Sequence, residues 1–136
     1  MMEERKALHG EAKRLEERLA EQEAQALLAA SVLQGPSNVR VVSAPIADAS
    51  PGYLVLLAAR LAKESHVVAL VASRSNGHVV FAQSKGLSGN MGTLLRDTLR
   101  EFGGKGGGPK DFAQGSVADA GAINALLERA KESLGL

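Results

Sequence analysis

The sequence predicts an α/β domain, an open mixed sheet covered by helices and preceded by a long coiled-coil-like helix. Three observations predict it. Apolar residues recur at alternating spacings of four and three from Leu8 to Leu33. Beyond residue 36, β-branched runs alternate with segments of helical periodicity, the pattern of strands and covering helices. Ser75-Asn76-Gly77 between two apolar runs marks a hairpin, so the sheet contains an antiparallel pair. Residues 1–35 accordingly read as a helical arm and residues 36–136 as the globular α/β domain.

Glu3 to Leu33 reads as one helix whose seam is Leu8, Ala12, Leu15, Leu19, Gln22, Ala26, Ala29 and Leu33. Arg14, Glu17, Arg18 and Glu21 charge its other faces at helical spacing. About 30 helical residues span about 45 Å, more than so small a domain can cover, so part of the helix projects. Two readings stay open: a dimerising or connecting coiled coil, with a homodimer through Leu8, Leu15 and Leu19, or a solvated helix. Gly10 weakens the start by about 1 kcal/mol relative to alanine, and Gly35-Pro36 ends the helix. A start at Met1 inside a helix fits a piece of a longer chain.

Asn38 to Ala44 is β-branched and strand-like, with Pro45 as its stop. Ser50-Pro51 is an N-cap followed by proline at the first helical position, and Leu54, Leu57, Ala58 and Leu61 form a stripe that lies on the sheet to about Glu64. Val67 to Ser73 is an almost unbroken apolar run, as a strand buried on both faces requires. His78 to Gln83 returns as its antiparallel partner. Ser84 to Gly92 is loop-like and leads into a helix from Met91 to Glu101, packed through Leu94, Leu95 and Leu99. Phe112 to Val117 adds a short strand, and Asp119 caps a last helix packed through Ile123, Leu126, Leu127 and Ala130 and closed by Gly135.

Between the last two strand and helix signals lies the most informative stretch, Phe102 to Ser116. Five of the six residues from Gly103 to Gly108 lack a side chain, which weakens any helix or strand and suits a sharp turn or a close approach. Successive backbone N–H groups can form an anion-binding concavity, and Lys105 and Lys110 bring positive charge to both sides, so phosphate is the natural guest. A ligand-free crossing of chain segments has equal standing. A nucleoside-triphosphate loop fails because Gly106, not Ser or Thr, follows Lys105, and a dinucleotide fingerprint fails because Pro109 holds the place of its third glycine.

Composition narrows the chemistry. The 136 residues are 45% hydrophobic, enough for a real core. Only 3% are aromatic, a poor supply of base-stacking platforms, so nucleic acid would be read by backbone and shape. There is no cysteine, hence no disulfide, thiolate metal site or cysteine nucleophile. His9, His66 and His78 sit in no ligand-spaced motif, so no metal and no cofactor are expected. No Gly-x-Ser-x-Gly elbow is present, and Asp111 beside Lys110 reads as a local ion pair. Net charge is +1, with the globular part mildly basic. No apolar run reaches membrane-spanning length, and Met1 to Leu8 is charged rather than a signal segment, so a soluble, cytoplasmic protein with no membrane partner is the expectation.

Gly103 to Gly108, the segment Pro109 to Phe112, and Ala113-Gln114-Gly115 together resemble the signature of the C-terminal domain of alanyl-tRNA synthetases, a branch of the DHH-associated family. Pro109 precedes Lys110 where the family more often has a basic residue before proline, and Ser116 stands where a further glycine is usual. The family's phosphoesterases carry histidine after the glycines and an Asp-His-His run; this chain has neither. The resemblance implies a non-catalytic tRNA-binding domain that holds tRNA for aminoacylation and editing, serves upstream catalytic and editing domains, and aids dimerisation in some members. It implies phosphate contacts from Gly103, Gly104, Lys105, Gly106, Gly107, Gly108, Lys110 and Gln114, with Lys85 and Arg100 nearby. The alternative is a purely structural dimerisation module; a stand-alone phosphoesterase is the least supported reading.

Overall fold

A computed structural model describes the backbone of residues 2–30, 32–34 and 38–136 and the side chains of residues 10–29 and 38–136. In chain order the elements are α1 (Met2–Ala30), β1 (Val32–Gln34), β2 (Arg40–Ile46), α2 (Pro51–Ala62), β3 (Val67–Ser73), β4 (His78–Gln83), α3 (Met91–Glu101), β5 (Lys105–Gly107), β6 (Phe112–Ser116) and α4 (Ile123–Ser133). The sheet order is β1-β2-β3-β4-β6-β5. Among the described residues only β2 and β3 pair in parallel, because α2 carries the chain back across the sheet; the other pairs are antiparallel. This is the expected mixed sheet covered by helices.

The two sheet faces bury separate cores. Val41, Val68, Leu70, Val79, Phe81 and Ala113 pack against α3 and α4. Val42, Ala44, Val67, Ala69, Val71, Val80 and Ala82 pack against α2 and the second half of α1. All seven residues of β3 are buried, which explains its unbroken apolar sequence. Ser50 caps α2 by accepting the Tyr53 N–H at 3.1 Å, with Pro51 behind it, and Leu54, Leu57, Ala58 and Leu61 form the buried stripe. Asn90 caps α3 by accepting the Thr93 N–H at 3.1 Å. Asp119 caps a 3₁₀ turn, Ala120–Ala122, that feeds α4 rather than α4 itself.

Three local expectations change. The chain that was to continue as helix to Leu33 leaves α1 at Ala30 and forms β1 on the edge of β2; the Gly35-Pro36 stop lies outside the described residues. Pro45 does not end its strand. The Arg40 N–H donates to the His66 carbonyl (2.7 Å) and the Ile46 carbonyl accepts from Arg74 (2.8 Å), so even-numbered residues of β2 bond toward β3. Pro45 faces the other way, beyond Val42 where pairing with β1 stops, and no ladder bond misses its N–H. In the hairpin only Gly77 takes positive φ, 76°. Asn76 instead works through its side chain, accepting from the His78 N–H (2.9 Å) and donating to the Ala49 carbonyl (2.8 Å).

The α1 helix docks through a face that the sequence did not single out. Its docked face is Ala20 and Ala24, fully buried, with Leu27 and Leu28 packing beside them, while the seam residues Leu15 and Leu19 are 63% and 56% exposed. Two alanines one turn apart let the backbones of α1 and α2 approach closely. Side chains then fasten the contact: Arg60 of α2 grips both carboxylate oxygens of Glu21, with Nη2 to Oε1 at 2.9 Å, and Tyr53 donates its hydroxyl to Glu23. Hydrogen bonding from Arg60 lowers the Glu21 carboxyl below its ordinary 4.5, and burial, then Glu23, raises the Tyr53 phenol. A depressed carboxyl contributes stability above its unfolded pKa and loses it as pH falls through the folded one. Acidification below about 4 should therefore loosen α1 from α2. Tyr53 is the sole tyrosine of a tryptophan-free chain, so its fluorescence should report the change, and Glu21→Gln should show the loosened signal already at neutral pH.

Candidate nucleic-acid interface

The middle of the glycine stretch, Lys105–Gly107, is a strand, not the loop its composition suggests. The chain leaves α3 through Gly103, whose φ of 73° closes the helix, while the Gly104 N–H donates to the Leu99 carbonyl at 2.8 Å. β5 then pairs with β6: Lys105 opposite Ser116, Gly106 opposite Gly115, Gly107 opposite Gln114. Side chains are missing because Leu99 of α3 lies directly on this hairpin. A Cβ at Gly106 would stand 2.7 Å from Leu99 Cδ1 and 2.6 Å from Gly115 Cα; one at Gly115 would stand 2.6 Å from Leu99 Cδ1. At the other end of α3, a Cβ on Gly92 would meet the Gly108 carbonyl oxygen at 2.1 Å. Close packing therefore accounts for Gly104, Gly106, Gly108, Gly92 and Gly115, and leaves Gly107 open, with nothing within 4 Å.

The register decides which amides are free. The Val117 N–H donates to Gly77 and the Gln83 N–H to Asp111, both at 3.0 Å, so odd-numbered residues of β6 bond toward β4. Gln114 and Ser116 are left to bond Gly107 and Lys105. Gly106, opposite Gly115, turns its N–H and carbonyl to the open edge. Of the three amides Gly104, Gly106 and Gly107, only that of Gly106 is unspent.

The four cations fall into two groups. Lys105 lies opposite Ser116 and His78, and Arg100 occupies the last turn of α3 that delivers the chain to it. Lys110 lies in the turn at the far end of β6, beside the start of α3, where its carbonyl accepts the Met91 N–H at 2.7 Å. Lys85, just beyond β4, shares that end. All four are exposed. A single cradle closed by Lys105 and Lys110 is not what the fold builds; the two lysines stand at opposite ends of β6, whose five residues span roughly 13 Å. A cleft of about 540 Å³ opens beside the second group, lined by Lys63, Ser65, Lys85, Asp111 and Phe112.

Gln83, which the sequence did not single out, ties that second group together. Its buried Nε2 donates to the Gly89 carbonyl (2.7 Å) and to Asp111 Oδ1 (2.8 Å), clamping the Lys85 loop to the Lys110 turn. Asp111 is thus an acceptor for Gln83 rather than the partner of Lys110. Gln83→Leu should cost about 2 kcal/mol, since buried acceptors lose their donor. Thermal melting checks it, and Gln83→Glu should be worse because it sets a second carboxylate against Asp111.

On the α2 side of the sheet, His78 Nε2 lies 3.3 Å from Gln114 Oε1. His66 precedes β3 with φ 59°, and the His9 side chain lies outside the described residues. Among the described residues no three His, Asp or Glu side chains are grouped to hold a metal ion, and no helix is long and apolar enough to cross a membrane.

The DHHA1 domain family matches residues 38–135. The alanine-tRNA ligase of Frankia alni is 35% identical over 127 residues, 81% of this chain and 14% of that protein. The alanyl-tRNA editing protein AlaX-L of Pyrococcus horikoshii is 38% identical over 55 residues, 40% of this chain and 13% of that protein. The solved C-Ala domain of the Aquifex aeolicus alanyl-tRNA synthetase superposes with a TM-score of 0.70 at 22% identity, covering 78% of this chain and 99% of that one. The chain spans only 8% to 15% of the length of such ligases.

Proposed function

The chain belongs to the DHHA1 domain family, and on that premise we propose that it is the non-catalytic C-terminal module of an alanyl-tRNA synthetase, which holds tRNA for aminoacylation and editing. Residues 36–136 bind tRNA and residues 1–35 form an arm toward upstream catalytic and editing domains in the cytoplasm. One observation supports this most: exposed cations stand at both ends of a glycine-bordered sheet edge, Lys105 and Arg100 at one and Lys85 and Lys110 at the other. A macromolecular anion with phosphates spread along its length can meet both groups at once. Such contacts position the nucleic acid without reading its sequence, and they bind no substrate group for chemistry. The free Gly106 amide can add a hydrogen bond to a phosphate oxygen at the same edge.

The test is a filter-binding titration with alanine tRNA at low and moderate salt. Four phosphate contacts predict an affinity falling on the order of 10²-fold between about 50 and 200 mM salt. Binding that is absent, or indifferent to salt, sinks the reading.

A second reading, an arm that joins two copies, draws on Leu15 and Leu19, which are large, apolar and exposed; Leu8, the third residue of that seam, has a side chain outside the described residues. Sedimentation of the parent chain against Leu15→Glu/Leu19→Glu decides it. A dimer that becomes a monomer supports the arm, and an unchanged monomer removes it.

A further inference from the structure

The α2 side of the sheet is covered only as far as β4. Val80 and Ala82 are fully buried there, yet one strand farther out Gln114 and Ser116 are exposed, and so is Lys105 on β5. The register sets His78, Ser116 and Lys105 in one row across three strands and Val80, Gln114 and Gly107 in the next. Alternation along the strands puts all of them on the same face. Gln114 Oε1 can only accept, so His78 donates its Nε2–H across the 3.3 Å contact. That leaves Gln114 with two free N–H donors, His78 with Nδ1 as an acceptor, and Ser116 with a hydroxyl.

Resting on the tRNA reading above, we propose that this open face recognises RNA through its sugars: Gln114 and His78 hydrogen-bond ribose 2′-hydroxyls of a double-helical segment lying across β4, β6 and β5. Charge complementarity selects a polyanion. β4, β5 and β6 contain no Asp or Glu, Lys105 stands at one end of the face and Lys85 and Lys110 at the other, and the intervening Asp111 is occupied by Gln83. The chemistry between those ends selects the sugar. The two rows carry no Phe, Tyr or Trp, and their one aromatic ring, the His78 imidazole, is half-buried and engaged with Gln114, so single-stranded base readout is poorly supplied with platforms. A neutral donor beside a neutral acceptor suits a hydroxyl, which is both, and the wide, shallow minor groove of A-form RNA presents hydroxyls to a flat surface. At Gly107 the missing side chain leaves the surface level: a Cβ there meets nothing within 4 Å.

The experiment is fluorescence anisotropy with a short RNA hairpin and the same hairpin carrying 2′-fluoro sugars, which keep the A-form but lack the hydroxyl. The parent chain should prefer the native RNA by about tenfold, the yield of two neutral hydrogen bonds. Gln114→Ala/His78→Ala should bind both hairpins alike, within about twofold, with the parent's salt slope and an unchanged melting temperature. Lys105→Ala should do the reverse, lowering the slope and keeping the preference. Equal binding of both hairpins by the parent, or a preference that survives in the double variant, overturns the sugar contact while leaving tRNA binding intact. Failure to bind either hairpin or tRNA overturns both readings together.

Discussion

Gly115→Ala should lower the melting temperature by about 10 °C, a loss of about 3 kcal/mol at this chain length. The added methyl carbon would stand 2.5 Å from the Lys105 carbonyl oxygen and 2.7 Å from Gly106 Cα, both backbone atoms, as well as 2.6 Å from Leu99 Cδ1. Side chains can rotate away, but a paired strand cannot move without breaking its ladder. Gly92→Ala should cost as much, because its methyl would meet the Gly108 carbonyl oxygen at 2.1 Å. Gly107→Ala is the contrast: with open space around it and ordinary φ, it should change stability by no more than about 0.5 kcal/mol. Leu99→Ala should partly rescue Gly115→Ala, with a coupling of about 1 kcal/mol in a double-mutant cycle, since only one of the three close contacts belongs to Leu99. Three equally mild glycine variants would show that the hairpin is not held by helix packing.

Replacing Lys85, Arg100, Lys105 and Lys110 together by glutamine should weaken tRNA binding by roughly 10²-fold to 10³-fold at low salt, and reduce the slope of log affinity against log salt by about 3 to 4. All four side chains are exposed, so the melting temperature should barely change. The geometry makes a sharper statement than the total. Because the pairs stand at opposite ends of β6, Lys85/Lys110 and Arg100/Lys105 should act independently, each removing about half the slope, and their free energies should add. A pair whose loss changes nothing would confine the contact to the other end. Strong non-additivity would mean that the two pairs share a phosphate group rather than meeting separate phosphates at the two ends of β6.

The elements read most faithfully from the sequence carry their causes within a few residues. Ser50-Pro51 caps α2, Asn90 precedes α3, Gly77 turns the hairpin, and the apolar run of β3 records burial on two faces. What misled was decided at a distance. The Leu seam of α1 reads as projecting and its Leu15 and Leu19 are exposed; the face that docks, Ala20 and Ala24, goes unread because its signal is closeness rather than hydrophobicity. β1 has three residues and no punctuation before it, so it reads as the end of a helix. Pro45 stays in its strand because the neighbouring strand is too short to need its N–H. The glycines were rightly read as marking a close approach; that the approaching group is Leu99, and that the ribbon is itself hydrogen-bonded, required the register. The same register separates Lys105 from Lys110, only five positions apart in sequence, and brings His78 to Gln114.

A border strand of lysine and two glycines has a consequence for how the molecule breathes. Peeling β5 from β6 breaks a three-residue ladder and uncovers little hydrocarbon beyond the Leu99 methyl groups that rest on Gly104 and Gly106. The rim can open and close at a small cost while the interior remains sealed, and deuterium should enter the amides of Lys105 and Gly107 well before those of β3 and β4. Proximity of the proposed nucleic-acid edge to local melting is thus built into the chain, and any anion that bridges this rim to its neighbours would slow that exchange.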